Sequence, residues 1–316
     1  MQVSIIGTGH VGATLACNLV LEGLCQRLVL VNRNANTARG HALDLQHMVS
    51  LTPHNTRITA GSAVDTAGSD VIVITCSVAM DAVAPDRLSM ADGNTRLLRS
   101  WLPTLVEHSP DAVVLMVTNP VDVMVWAALK ISQLPAERVL GIGTLVDSAR
   151  FRSMMSQELQ IHPDDIRGYI RGEHGNTQVA AISVANVGGE QIDESLDRAR
   201  AIAQQTVRSG LEVFFAKGYT NFAVAKATAR VIESIRDDSR HTMPVSVLLD
   251  GYCGIDDVAL SVPVVIGRRG VTRRLHPRLK PDEVEAFRQS AATVRGVCRQ
   301  IEPLLSDAAA EQTGDE

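Results

Sequence analysis

The stretch from Gln2 to Arg33 constrains the fold of this chain more than any other. Val3-Ser4-Ile5-Ile6 is a short apolar run, and Gly7-Thr8-Gly9-His10-Val11-Gly12 follows it without a gap. Glycines at those places permit a tight turn and a close backbone approach to an anion. Leu15, Leu19 and Val20 then recur at helical spacing, which predicts a helix from Val11 or Gly12 that ends at Gly23. Arg27-Leu28-Val29-Leu30-Val31 reads as a second buried strand, and it delivers Asn32 and Arg33, with Asn32 twenty positions after Gly12. A glycine-rich turn can serve only to pack a helix on a strand. Here strand, turn, helix, second strand and spacing all agree on a dinucleotide-binding unit. Its diphosphate would lie on the turn from Gly7 to Gly12, at the positive end of the helix.

Asn32 departs from the pattern. An acidic residue at that place accepts hydrogen bonds from both ribose hydroxyls and repels a 2′-phosphate, whereas neutral Asn32 followed by Arg33 removes the repulsion and adds a cation. Arg33 can equally be a solvated surface residue. The pair tips the expectation toward NADP over NAD.

A chain of 316 residues, 45% of them hydrophobic, is long enough for two domains around separate cores. The net charge of −5 gives no electrostatic case for nucleic acid or an acidic membrane surface. A basic cluster flanking Gly270 (Arg268, Arg269, Arg273, Arg274, His276) reads as a solvated hairpin edge that blocks sheet-to-sheet pairing, or as a binding patch. Cys17, Cys25, Cys76, Cys253 and Cys298 are scattered and odd in number, so neither a disulfide framework nor a metal site is indicated. No basic leader precedes the first strand and no apolar run approaches the ~20 residues of a membrane span, so a cytoplasmic location is expected.

Val71 to Thr75 and Ala112 to Thr118 are continuous apolar runs, as in parallel strands buried on both faces. With helices between them, and a strand from Val139 to Thr144 expected to end the sheet, residues 1–143 read as a doubly wound α/β domain. Residues 144–316 read as an α+β domain: strands at Ile166 to Arg171 and Val179 to Val184, helices from Ser195 and Asn221, antiparallel strands from Thr242 and Val258, and a last helix from Pro281. Polar residues just past the strand ends are the candidates for a ligand site. Asn119 is held extended there by Pro120, and Ser77 to Asp92 is long enough for a lid. Asp147 and Arg150 share a helix face, as a site pair or as an internal ion pair. His174, between Gly172-Glu173 and Gly175, is a poor packing residue and a well-exposed chemical one, or else a turn filler.

In this order GTGHVG at Gly7, TNPVD at Thr118, VDSARFR at Val146, GEHGN at Gly172, KGYTNFA at Lys217 and LLDGYCGIDDVALSVPVVIG at Leu248 resemble the lactate/malate dehydrogenase family of L-2-hydroxy acid dehydrogenases, lactate-type branch, from end to end. The resemblance implies a Rossmann domain followed by a substrate domain, hydride transfer between a nicotinamide and a 2-oxo or L-2-hydroxy carboxylic acid, and a homodimer or homotetramer. On it His174 is the acid/base, Asp147 its carboxylate partner, Arg150 the clamp on the substrate carboxylate and Arg87 the lid arginine that polarises the carbonyl. Asp147 and Arg150 would then face the site rather than each other. Asn94 and Asn119 would serve the cofactor, Asn119 the substrate as well, and Thr220 would form a pocket wall.

The specificity position six before the lid arginine falls on Asp81, or on Met80 if counted from the strand. Neither is the Arg that reads malate's second carboxylate nor the Gln that suits pyruvate. The expected substrate is therefore neither simple lactate nor malate: Met80 favours a larger apolar 2-oxo acid, and Asp81 one carrying an amine or guanidine. Asn176 stands where the family usually has Asp. Two other classes compete with this reading, a family-4-type glycosidase that needs a metal and a redox-silent nucleotide-binding protein.

Overall fold

The computed structural model describes residues 1–79, 88–192 and 196–305. Six parallel strands form its centre: β1 (Gln2–Ile6), β2 (Arg27–Val31), β3 (Arg57–Gly61), β4 (Val71–Ile74), β5 (Val113–Met116) and β6 (Val139–Gly141). Every residue of β1, β4 and β5 is buried, which explains why these strands read as unbroken apolar runs rather than alternating ones. The helices between them are α1 (His10–Leu21), α2 (Ala35–Val49), α3 (Ala91–His108) and α4 (Val121–Ser132), and α5 (Leu145–Leu159) follows β6. Helix α4 is buried from Val121 through Leu129, all of it apolar except Asp122, as its place in the interior requires.

In the sheet β1 lies between β4 and β2, so the winding reverses there and the strand ends open a crevice. The sheet does not end at β6. Strands β12 (His241–Leu249), β13 (Val258–Gly267) and β14 (Gly270–Arg274) extend it antiparallel, joined through Ser246 and Gly141, to nine strands in all. The expected antiparallel pair is therefore part of the central sheet, and the basic hairpin is its outer edge.

Residues 166–191 form two small sheets from β7 (Ile166–Arg167), β8 (Ile170–Arg171), β9 (Val179–Ala180), β10 (Asn186–Val187) and β11 (Glu190–Gln191). The single strand expected from Ile166 to Arg171 is thus two, because β7 pairs with β10 while β8 pairs with β9. Phe151, Met155, Ile166, Ile170 and Ile182 make a second, smaller core beneath them. Helices α6 (Leu196–Lys217), α7 (Phe222–Asp237) and α8 (Pro281–Ile301) complete the described chain, and α7 packs on α1.

Candidate active site

The glycine turn after β1 has the form a phosphate cradle needs. Gly7 has φ +103°, and a Cβ there would stand 2.5 Å from the Cys76 amide nitrogen. A Cβ on Gly12 would stand 1.9 Å from the Gly7 carbonyl oxygen, so neither place accepts a side chain. Gly9 has nothing within 4 Å of its missing Cβ and opens on a crevice of about 510 Å³. Gly9 is also the N-cap of α1, where no side chain caps the helix and no acidic residue sits in the first turn. The first amides of α1 are therefore open to an anion, and a dinucleotide fits this turn. The crevice runs over the carboxyl ends of β1, β2, β4 and β5, past Thr8, His10, Val11, Asn32, Thr118 and Asn119.

At one end Asn32 is fully engaged: its Nδ2 donates to Thr8 Oγ1 at 2.7 Å and its Oδ1 accepts from the Asn34 amide at 3.0 Å. Arg33 borders both the crevice and a neighbouring cavity of about 820 Å³ that also holds Arg39, Ser62 and Trp101. Arg39 escaped the sequence reading; its signal was a second cation early in the helix that follows the ribose reader.

At the other end a pocket of about 120 Å³ is lined by Asn119, Arg150, His174 and Thr220 among apolar residues that include Leu211 and Phe214. Here the helix α5 and the loop after β8 meet. His174 Nδ1 lies 2.5 Å from Asp147 Oδ2, and Arg150 Nη1 donates to Asp147 Oδ1 at 2.8 Å. Asp147 and Arg150 do face each other, contrary to expectation, because a carboxylate has two oxygens and here each serves one neighbour. The two readings of the pair were not exclusive: the ion pair is part of the pocket.

The loop carrying His174 is fixed by its backbone. The His174 amide donates to Asp122 Oδ2 at 2.7 Å, and the Glu173 amide donates to Ser290 Oγ at 2.7 Å. Burial pushes the Asp122 carboxyl up to about 7; the His174 amide opposes this and the neighbouring Glu173 and Asp147 carboxylates add to it. Asp122 was visible in sequence only as the last letter of a motif.

Asn119, joined to Pro120 by a cis peptide, borders both crevice and pocket, and its buried Oδ1 has no hydrogen-bond partner among the described residues. Asn94, expected at the cofactor, does not line the crevice. It is almost fully buried, and its side chain donates to the Asn119 carbonyl at 2.6 Å and accepts from the Val78 amide at 2.8 Å, so it fastens the start of the lid segment to the strand end. Met80, Asp81 and Arg87 lie outside the described residues. Among the described residues no cluster of three or more His, Cys, Asp or Glu could hold a metal ion.

Comparison with known proteins covers nearly the full length of the chain. Residues 1–141 match the model of the lactate/malate dehydrogenase NAD binding domain, and residues 144–303 that of the lactate/malate dehydrogenase alpha/beta C-terminal domain. An L-lactate dehydrogenase of Thermoanaerobacter pseudethanolicus is 39% identical over 311 residues, covering 95% of this chain and 99% of the relative. The L-lactate dehydrogenase B chain of Sceloporus undulatus is 36% identical over 316 residues, 96% of this chain and 94% of the relative. Among solved structures, the ligand-bound minor L-lactate dehydrogenase of Enterococcus mundtii superposes with a TM-score of 0.90 at 28% identity, over 95% of this chain and 98% of that one. Both halves match, in order and over nearly the full length, and neither match is to a glycosidase: the chain belongs to the lactate/malate dehydrogenase family.

Proposed function

We propose that the chain is an NAD(P)-dependent L-2-hydroxy acid dehydrogenase that interconverts a 2-oxo and an L-2-hydroxy carboxylic acid. The observation that carries this is the shared carboxylate of Asp147, which holds His174 and Arg150 on one small pocket beside a dinucleotide crevice. Residues 1–143 would serve the cofactor and 144–316 the substrate.

Each residue has a physical task. Arg150 spends one nitrogen on Asp147 and keeps the rest of its planar fork for a substrate carboxylate. With Nδ1 engaged, His174 presents Nε2 to the pocket. During reduction it gives a proton to the oxygen that was the carbonyl, and during oxidation it takes the proton back. Asp147 orients the ring and stabilises positive charge on it. The unpartnered Asn119 Oδ1 would accept from the amide of the nicotinamide, the Nδ2 of the same side chain would donate to the substrate carbonyl, and Thr220 walls the pocket. Arg87, by its place in the family pattern, polarises the carbonyl when the lid closes and excludes water. The bound nicotinamide supplies or accepts the hydride.

For the cofactor we favour NADP, supported by neutral Asn32 and by Arg33 and Arg39 on one cavity. The matched NAD binding domain model is the counter-argument. For the substrate, Met80 or Asp81 at the specificity position argues for an acid other than pyruvate or oxaloacetate, and the apolar walls of Leu211 and Phe214 suit an apolar side chain. Lactate is the second reading, favoured by the names of the relatives.

We also assign the chain to a homodimer or homotetramer in the cytoplasm. Leu51, Phe215 and Phe222 are large apolar side chains more than half exposed, which a second copy would cover. No described helix is long and apolar enough to cross a membrane. The test is a panel of 2-oxo acids (pyruvate, oxaloacetate, branched, aromatic and basic) assayed with NADH and NADPH. Reduction of any of them supports the activity, and none reduced with either coenzyme would overturn it.

A further inference from the structure

In the proposed reaction the hydride and the proton go to adjacent atoms of one carbonyl, but they start from different parts of the chain. The crevice that would hold the nicotinamide is lined mostly by residues from the first half, whereas His174 stands in a loop of the second. The two must be held in register. The loop 172–176 is tied into its own half: Gly172 exchanges backbone bonds with Ser261 at 3.0 Å, the Glu173 amide donates to Ser290 Oγ, the Glu173 carboxylate accepts from the Thr177 amide at 3.1 Å, and His174 Nδ1 meets Asp147. Among the described residues a single hydrogen bond joins this loop to residues 1–143. In it the His174 amide donates to Asp122 Oδ2 at 2.7 Å.

We propose that Asp122 is a positioning residue for the acid/base: as a hydrogen-bond acceptor in the first turn of α4, it holds the His174 main chain in register with the cofactor crevice. The inference rests on the reading of His174 given above. Helix α4 begins directly after Asn119-Pro120, so the turn that sets Asn119 at the crevice also sets Asp122. Asp122 does not cap the helix, because no side chain makes a cap hydrogen bond at the α4 N-terminus. Nor does packing call for a carboxyl there. Asp122 is 2% exposed in an otherwise apolar stretch, and its Oδ1 is buried with no hydrogen-bond partner among the described residues. A leucine has the same branched shape and would avoid that cost. The charge is not what the site uses either. Burial opposes ionisation, and the Glu173 and Asp147 carboxylates beside Asp122 add to this, so what it offers is the acceptor.

Losing the acceptor has a definite signature. A buried amide without a partner draws the loop toward another acceptor, and a displacement of ~1 Å at a reacting group corresponds to roughly 10²-fold in rate. Arg150 grips the substrate carboxylate from α5 and does not move with the loop. The loss therefore falls on kcat and spares substrate and coenzyme binding, whereas general loosening of the fold would move all three.

The experiment compares Asp122→Leu, which keeps the shape and removes the acceptor, with Asp122→Asn, which keeps the acceptor. Steady-state kinetics are measured on the best-reduced 2-oxo acid at saturating coenzyme, with the dissociation constant of the coenzyme alongside. Asp122→Leu should lose about 10–10²-fold in kcat, with the KM of the 2-oxo acid and the coenzyme affinity within about three-fold of the parent's. Asp122→Asn should recover kcat to within about three-fold of the parent. If Asp122→Leu does not fold, Asp122→Ala takes its place and the same split is expected. Parent-like kcat in the variant without the acceptor, an equal fall in Asp122→Asn, or a loss carried by KM or coenzyme affinity would overturn the inference and leave the acid/base reading standing. A parent that reduces no 2-oxo acid, or a His174→Asn variant with the parent's turnover, would overturn both.

Discussion

Replacing Asp147 by Asn changes one oxygen to a donor in a place where both oxygens are spoken for. His174 Nδ1 sits 2.5 Å from one and Arg150 Nη1 2.8 Å from the other, and the Asp147 side chain is only 4% exposed. The amide can satisfy one neighbour and must present its NH₂ to the other. If it faces His174, the ring nitrogen there must become an acceptor, and the proton then sits on Nε2 of a neutral ring with no carboxylate beside it. If it faces Arg150, two donors oppose each other. A charge-assisted hydrogen bond contributes about 1.5–3 kcal/mol, and a buried polar group left unsatisfied costs about 1–3 kcal/mol. With His174 and Arg150 side chains only 14% and 18% exposed, little of this is screened away. A total of about 3–5 kcal/mol corresponds to a loss of roughly 10²–10⁴ in kcat/KM. Steady-state kinetics on the best 2-oxo acid should show that loss divided between kcat and KM, because the acid/base and the carboxylate clamp are released together, while coenzyme affinity stays near the parent's. An Asp147→Asn enzyme within ~10-fold of the parent would refute the shared-carboxylate account.

Three further outcomes can be measured on the same enzyme. Arg33→Ala should weaken NADPH selectively and Asn32→Asp should shift preference toward NADH; equal Michaelis constants for the two coenzymes in the parent would contradict this. Asp122, pushed up to about 7, ionises in the folded protein far above its unfolded value, so its contribution to stability is complete at low pH and lost as pH rises through about 7. Asp122→Asn keeps an acceptor for the His174 amide and cannot ionise, so its melting temperature should gain on the parent's between pH 5 and 8, and a constant difference would show that Asp122 does not titrate there. Asp81→Arg should gain oxaloacetate reduction if residue 81 faces the substrate, and no change would assign that place to Met80.

The parallel strands were legible because burial on both faces leaves no polar alternation, and the glycine turn because only glycine meets its geometry at Gly7 and Gly12. Helix ends came within about three residues, most of that the uncertainty of fraying termini. The joining of β12 to β6 was not legible, since an antiparallel strand carries no mark of which edge it extends. Nor was the split of residues 166–171, where two short strands change partner without a break in apolar character. At the site, His174, Asp147, Arg150, Asn119 and Thr220 come together on one pocket or its rim, although 101 positions separate Thr220 from Asn119. What spacing could not reveal was partnership: Asp147 shared between His174 and Arg150, Asn94 spent on the backbone, Arg39 on one cavity with Arg33, and Tyr219 stacked on His10.

The central claim is that His174 moves the proton while the nicotinamide moves the hydride, and the most direct measurement compares turnover of the parent and His174→Asn on the same 2-oxo acid at saturating coenzyme. Coenzyme binding is measured alongside as the control. The account predicts nearly unchanged coenzyme affinity and a fall in kcat of about 10² or more, the range for a lost acid/base. Turnover equal to the parent's, with the coenzyme still bound, would contradict it.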